Sequence, residues 1–368
     1  MSSQKLRVGV VFGGRSGEHE VSLLSARSIV DALDRDRYEP VLIGIDHDGR
    51  WHLQEAAKAI LDAPGAALRL DADAPRVTVA PGGAELVPVD PEAARGAVDV
   101  FFPVLHGTYG EDGTIQGFLD MAGVPYVGSG VLGSSVGMDK DVAKKLLRAE
   151  GIPVVEWFTL RAEDRPDDAR VAHRIMERWG FPVFVKPANM GSSVGVSKVR
   201  DARGLRDALD EAFRYDHKVI VERGHRVREV EVAVLGNESP LASVAGEITP
   251  THEFYSYEAK YLDEHGAGLE IPARIDDALM ASVRELAVKT FRALELSGMA
   301  RVDFFLDKDT NELFVNEVNT IPGFTRISMY PKLWEATGVP YRALVDRLIA
   351  LAVARHAARQ ALSTRYAR

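Results

Sequence analysis

The sequence contains no cysteine. That absence removes disulfides, zinc–thiolate sites, iron–sulfur ligation and a cysteine nucleophile together, and it fits a reducing compartment. Positive charge is in deficit, with 45 Lys and Arg against 54 Asp and Glu and a net charge of −9. A chain without a global positive field is a poor non-specific binder of nucleic acid or of an anionic membrane. Long hydrophobic runs are missing too, and none approaches the roughly 18–20 residues of a membrane span. Met1–Arg7 has no hydrophobic signal region and leads straight into a strand-like run, so no secretory signal is expected and the chain reads as soluble and cytoplasmic. What is present suffices for large cores: 46% of the 368 residues are hydrophobic and 27% are charged. At about 100–200 residues per domain, such a chain divides into two or three domains.

The N-terminal part reads as α/β. Leu6–Phe12 is a β-branched apolar run ending at Gly13-Gly14, Val21–Leu33 has helical periodicity, and Tyr38–Ile45 is another apolar strand. Strand, glycine turn, helix, strand is a βαβ unit, whose parallel sheet places ligands at the strand carboxyl ends. Leu61–Gly96 reads as loops and short strands, Val98–Leu105 as a buried strand and Thr114–Met121 as a helix. A charged amphipathic helix, Met138–Glu150, marks a domain boundary. Strand Val154–Leu160, helix Asp168–Trp179, strand Phe181–Lys186, helix Leu205–Phe213 and strand Val219–Glu222 form a middle unit. The rest is strand-rich, with Glu229–Leu235, Leu241–Ile248, Ala300–Leu306 and Leu313–Asn319, and has helices at Leu279–Leu296 and Tyr341–Ala357.

Five segments carry candidate chemistry. In Lys186-Pro187-Ala188-Asn189-Met190-Gly191-Ser192-Ser193-Val194-Gly195-Val196 a lysine ends an apolar strand and a glycine/serine turn follows. Successive amides in such a turn form an anion-binding nest, and the lysine adds a point charge for phosphate. The lysine precedes the glycines, so this is not a P-loop. The same residues also read as a plain hairpin turn with a solvated lysine. Arg301-Val302-Asp303 and Glu317-Val318-Asn319 flank a turn at Lys308–Glu312. Regular antiparallel pairing sets Asp303 opposite Glu317 and Arg301 opposite Asn319. All four polar groups then share one face, with Val302, Phe304, Val318 and Phe314 on the other. Two carboxylates a few ångströms apart repel by about 4 kcal/mol at an effective dielectric of about 20. A hard cation such as Mg²⁺ removes that repulsion; a surface charge ladder with Arg301 neutralising Asp303 is the alternative.

Gly13-Gly14-Arg15-Ser16-Gly17-Glu18-His19-Glu20-Val21-Ser22 joins the first strand to the first helix. It lacks the dinucleotide fingerprint, and Glu18 serves there either as an ammonium receptor or as a partner of the helix dipole. His106-Gly107-Thr108-Tyr109-Gly110-Glu111-Asp112-Gly113 follows a buried strand and reads as a functional loop, with His106 in a structural hydrogen bond or on a metal. Tyr255–Tyr261 alternates charged and aromatic residues, as a lid or an aromatic surface patch does.

Together these segments resemble the D-alanine–D-alanine ligases of the ATP-grasp superfamily. The match runs in order through GGRSGEHEVS, HGTYGEDGTIQG, MDK, FVKPANMGSSVGVSK, YEAKY, ARVDFF and NEVNTIPGFT, and is poorest in Gln54–Gly96 and the C-terminal tail. The resemblance implies an α/β, three-domain ATP-grasp fold with an N-terminal parallel-sheet domain, divided at 1–139, 140–222 and 223–368. It implies ATP and D-alanine as substrates, a pair of Mg²⁺ or Mn²⁺ ions, a homodimer, and a dipeptide product for peptidoglycan precursors. Lys140, Lys186 and Lys260 then contact the ATP phosphates under a lid containing Ser192, and Glu222, Arg223 and Glu229 lie along the nucleotide. Asp303, Glu317 and Asn319 match metal ligands. Arg301 and the backbone N–H of Gly323 match the oxyanion-stabilising groups. Glu18 matches the residue that holds the first D-alanine's ammonium, with Ser192 and Tyr261 as its hydrogen-bond partners and His106 as a neighbour. Ser328 and Met329 match positions around the second substrate's carboxylate. Two positions depart from the family: Arg223 stands where many relatives have lysine, and His225 where an apolar residue is usual. A depsipeptide ligase joining D-alanine to D-lactate, another ATP-grasp carboxylate–amine ligase, and a nucleotide-binding module without turnover are the competing expectations.

Overall fold

Val8–Gly13 is buried without a break along the strand Leu6–Gly13, the pattern of a strand covered on both faces. In the computed structural model, which describes residues 5–54, 68–83, 85–90, 96–250 and 267–363, this strand pairs in parallel with Tyr38–Ile45 and Val100–Pro103. Trp51–Leu53 adds an antiparallel edge. The helix His19–Ala32 connects the first two strands, so the βαβ unit expected from the sequence is present. Short strands Val77–Val79, Glu85–Pro88 and Gly96–Ala97 form a small separate sheet.

The second four-stranded sheet is antiparallel, in the order Ser197–Val199, Val183–Pro187, Lys218–Arg223, Trp157–Arg161. Helices Asp168–Arg178 and Leu205–Phe213 bury Val171, Ile175, Leu205 and Leu209 against Val183, Val185, Val219 and Val221. A five-stranded antiparallel sheet follows, in the order Ala267–Glu270, Leu241–Pro250, Val227–Gly236, Gly298–Asp307, Leu313–Asn319. Helix Asp277–Ala293 covers one face through Val283, Ala287 and Phe291. Among the described residues no helix is long and apolar enough to cross a membrane.

Two features differ from expectation. The charged helix expected at Met138–Glu150 is present as Lys140–Ala149, and a helix absent from the sequence reading, Val131–Met138, precedes it. Asp139 lies extended between them and accepts hydrogen bonds from the amides of Asp141 and Val142, so a side-chain cap ends one helix and starts the next. The helix Met329–Ala336, absent from the sequence reading, packs its Tyr330, Leu333 and Trp334 into a core that also holds Val8, Val10, Phe12 and Phe102 of the N-terminal sheet. The first and last parts of the chain therefore share one apolar core.

Candidate active site

The polar face of the five-stranded sheet supplies the acidic end of the site. Across the Gly298–Asp307 and Leu313–Asn319 pair, Arg301 faces Asn319 and Asp303 faces Glu317, as the period-two argument requires. The register then slips: Phe304 faces Val315, leaving Asn316 as an extra residue. One expectation is overturned here. Val315, not Phe314, shares the core with Val302, Phe304 and Val318, while Phe314 lies opposite Phe305 and its ring is 5.3 Å from that of His225.

Arg301 donates to both oxygens of Asp303, from Nε and Nη2, each at 2.7 Å, and Asn319 Nδ2 donates to Oδ2 at 2.9 Å. Glu317 Oε2 lies 3.3 Å from Lys140 Nζ. Among the described residues no three His, Asp or Glu side chains gather as a ready metal cage. The protein offers two carboxylates and an amide. That set fits Mg²⁺ or Mn²⁺ of the kind held by one or two carboxylates and completed by substrate phosphates.

The nucleotide side is built on the second sheet. Lys186, near the end of its strand, forms an ion pair with Glu222 Oε2, and Lys144 Nζ lies 2.5 Å from Glu222 Oε1. Burial opposes the charge on Glu222, but Lys144 and Lys186 overcome it and hold the carboxyl at about 2. Lys144 was not anticipated. It lies one helical turn after Lys140 and is buried, and burial lowers its pKa against the pull of Glu222. The glycine/serine loop begins beyond Lys186. Lys140 Nζ donates to its Met190 carbonyl at 2.7 Å, which ties the first helical residue after Asp139 to the loop. Ser192, Ser193 and Gly195 have φ of 49°, 60° and 70°, the left-handed turn geometry that gathers amides into a nest. Glu229 and His225 line the same cavity, and His225 Nδ1 is 2.8 Å from Asp307. Arg223 also lines the cavity, and its guanidinium pairs with Glu156 at 3.0 Å. Lys260 and Tyr261 lie outside the described residues.

The amino-acid side forms where three segments meet. Ser192 donates its hydroxyl hydrogen bond to the buried Glu18, which joins the loop after the first strand to the glycine/serine loop. His106 has its Nδ1 2.9 Å from the Ile321 carbonyl and its Nε2 3.1 Å from Ser25 Oγ. Burial lowers its pKa, partly offset by Glu18; with both ring nitrogens engaged, its orientation at the cavity wall is fixed. Glu111, missed in the sequence, accepts hydrogen bonds from the amides of Gly107 and Ile321, both at 2.9 Å. Burial, then the charge of Glu18, pushes it up to about 8. Its position inside a glycine-rich loop was the available signal. Gly323 lies two residues beyond Ile321 on the cavity wall. Ser328 precedes the Met329–Ala336 helix and shares a 2.7 Å hydrogen bond with the Thr325 hydroxyl. The amino end of that helix faces the cavity and suits a carboxylate. One cavity of about 260 Å³ is lined by Glu18, His106, Lys140, Lys186, Ser192, Glu222, Glu229, Arg301, Asp303, Glu317, Asn319, Gly323, Ser328 and Met329. Every predicted site residue that the structure describes therefore borders one space.

Comparison with known proteins decides the family. The profile for the D-Ala D-Ala ligase N-terminus matches residues 7–129, and that for the D-Ala D-Ala ligase C-terminus matches residues 146–350. The chain belongs to the D-alanine–D-alanine ligase family. Within that family, it is 53% identical to D-alanine–D-alanine ligase A of Bradyrhizobium diazoefficiens, over 99% of this chain and 100% of that one. It is 50% identical to D-alanine–D-alanine ligase A of Escherichia coli K12, over 98% and 99%. Among solved structures, the D-alanine–D-alanine ligase from Coxiella burnetii superposes with a TM-score of 0.85 at 41% identity, covering 97% of each chain. The VanG D-Ala:D-Ser ligase from Enterococcus faecalis gives 0.81 at 34% identity, covering 95% of this chain and 99% of the other. The family's ATP-grasp fold is thus present, with the N-terminal parallel sheet and the two antiparallel sheets that the resemblance implied.

Proposed function

We propose that this chain is an ATP-dependent ligase that joins two molecules of D-alanine into D-alanyl-D-alanine, releasing ADP and phosphate, as a step in peptidoglycan precursor synthesis. The observation that carries the reading is the convergence, on one cavity, of phosphate-side lysines, an oxygen donor set, an ammonium receptor and an oxyanion pair, in a chain of this family.

The first D-alanine is held by its ammonium on Glu18, whose carboxylate is oriented by the Ser192 hydroxyl. One oxygen of its carboxylate attacks the γ-phosphorus of ATP; the bond from phosphorus to the β–γ bridging oxygen breaks and ADP leaves. Lys140 and Lys186 bear on the phosphates, and the 191–195 amides cap them. When bound, a pair of Mg²⁺ or Mn²⁺ ions on Asp303, Glu317 and Asn319 supplies neutralisation of phosphate charge. The second D-alanine, its carboxylate at Ser328 and the Met329 amide, attacks the acyl carbon with its amine. Arg301 and the Gly323 N–H take the oxyanion that develops. Loss of one amine proton and cleavage of the acyl carbon–oxygen bond then give the peptide and inorganic phosphate. Glu222, Arg223 and Glu229 border the remaining part of the nucleotide, Lys260 adds a further phosphate-side charge, and Tyr261 completes the Glu18–Ser192 network.

The proposal includes a division into 1–139, 140–222 and 223–368, supported by the N-terminal, second four-stranded and five-stranded sheets lying in successive parts of the chain, and a cytoplasmic homodimer completes it. Phosphate release with ATP, D-alanine and Mg²⁺, beside L-alanine and D-alanine plus D-lactate, tests the reading. D-Alanine alone is expected to support release, with dipeptide as product; release that needs D-lactate near neutral pH contradicts it.

A further inference from the structure

Arg301 stands between two carboxylates that lie on neighbouring strands. Its guanidinium grips Asp303 by two 2.7 Å hydrogen bonds, and its Nε is also 2.9 Å from Oε2 of Glu231. Glu231 lies on the Val227–Gly236 strand directly across from Asp303 in register. It is 5% exposed and borders the same cavity. None of the steps above uses it.

This arrangement poses a conflict. The oxygens of Asp303 that would hold a divalent cation are the ones Arg301 now grips. A guanidinium does not lose its proton in a protein, so it must keep an anion close when Asp303 is taken by a metal. Nε donates its N–H to Asp303 Oδ1 and lies 2.9 Å from Glu231 Oε2 as an ion pair, so a small shift turns it from one carboxylate toward the other.

We propose that Glu231 is a positioning residue, a second counter-charge that receives the Arg301 guanidinium when a divalent cation claims Asp303. Arg301 then stays at the cavity wall, turned toward the reacting carboxyl, through the change of partner. The inference rests on the reading of Asp303 as a metal ligand. It makes Glu231 act through Arg301, so its effect on metal affinity depends on Arg301 being present.

The test is Mn²⁺ binding to the full-length protein saturated with adenylyl imidodiphosphate, read by electron paramagnetic resonance and needing no turnover. Glu231→Gln is expected to weaken protein-held Mn²⁺ by about tenfold, because the guanidinium without its second partner competes harder for Asp303. In an Arg301→Met background the same replacement is expected to change the affinity by less than about twofold. Glu231→Asp keeps the charge and is expected to fall between wild type and Glu231→Gln, which preserves the test if the glutamine variant folds poorly. Wild-type Mn²⁺ affinity in Glu231→Gln overturns the proposal, as does an equal loss with and without Arg301, which marks a plain charge effect. Asp303→Asn checks the underlying reading: if it retains wild-type Mn²⁺ binding, the metal assignment falls and the proposal with it. If Asp303→Asn loses the metal while Glu231→Gln does not, the role of Glu231 alone falls.

Discussion

Glu111 sits where burial and the charge of Glu18 raise its pKa to about 8, from an ordinary 4.5. The folded state therefore binds this proton more tightly than the unfolded chain does. The resulting stability is complete below pH 4.5 and is lost as the pH rises toward about 8. Glu111→Gln removes that titration. Its melting temperature should fall less between pH 5 and 8 than that of the wild type, and parallel curves would contradict the assignment. At the acidic end, Glu317→Gln keeps the shape of the side chain but removes one charge opposite Asp303. Turnover at saturating ATP, Mg²⁺ and D-alanine should drop by about a hundredfold or more; wild-type turnover would exclude Glu317 from the metal set. Residues of this kind were legible in the sequence to different degrees. Asp303 and Glu317 could be paired because side chains alternate along strands. The Lys144–Glu222 contact could not, because it joins a helix to a strand far along the chain, and composition does not carry such a pairing.

At the scale of elements, the loop between Lys186 and Ser197 is held in left-handed turns and tied to Lys140 through Met190. A Cβ on Gly195 would lie 2.7 Å from Tyr215 Cδ2 and 2.8 Å from Pro187 Cγ, at a φ of +70°. Gly195→Ala should cost about 1–2 kcal/mol in that local conformation. It should raise the KM for ATP severalfold with a small change in melting temperature; an unaltered KM would mean that the loop does not lie over the phosphates. The sequence carried this turn because glycines and serines mark it. It carried the register of the Arg301–Asp303 hairpin up to Asp303 and no further, since the extra residue at Asn316 leaves no compositional trace. The helix Val131–Met138 was not legible, because its uncharged glycine- and serine-containing run has no apolar stripe, whereas Asp139 marks the start of the next helix as a cap.

At the scale of the molecule, the N-terminal sheet and the helices Met329–Ala336 and Tyr341–Gln360 share one core. Trp334 is 2% exposed in that core, and Trp334→Ala should cost about 3–5 kcal/mol. Near-ultraviolet circular dichroism should show the N-terminal and C-terminal parts melting together at a lower temperature. A two-step melt, with the N-terminal part unaffected, would contradict a shared core. The acidic net charge of −9 describes this whole and not its site, where Lys140, Lys186 and Arg301 converge on one cavity.

The proposed reaction phosphorylates one D-alanine carboxylate and then captures it with the amine of another. It is tested most directly with D-alanine labelled with ¹⁸O in its carboxylate, by mass spectrometry of both products after turnover with ATP and Mg²⁺. One labelled oxygen is expected in each inorganic phosphate released, with D-alanyl-D-alanine in equal amount. Phosphate free of label, or label transfer without dipeptide, would contradict it.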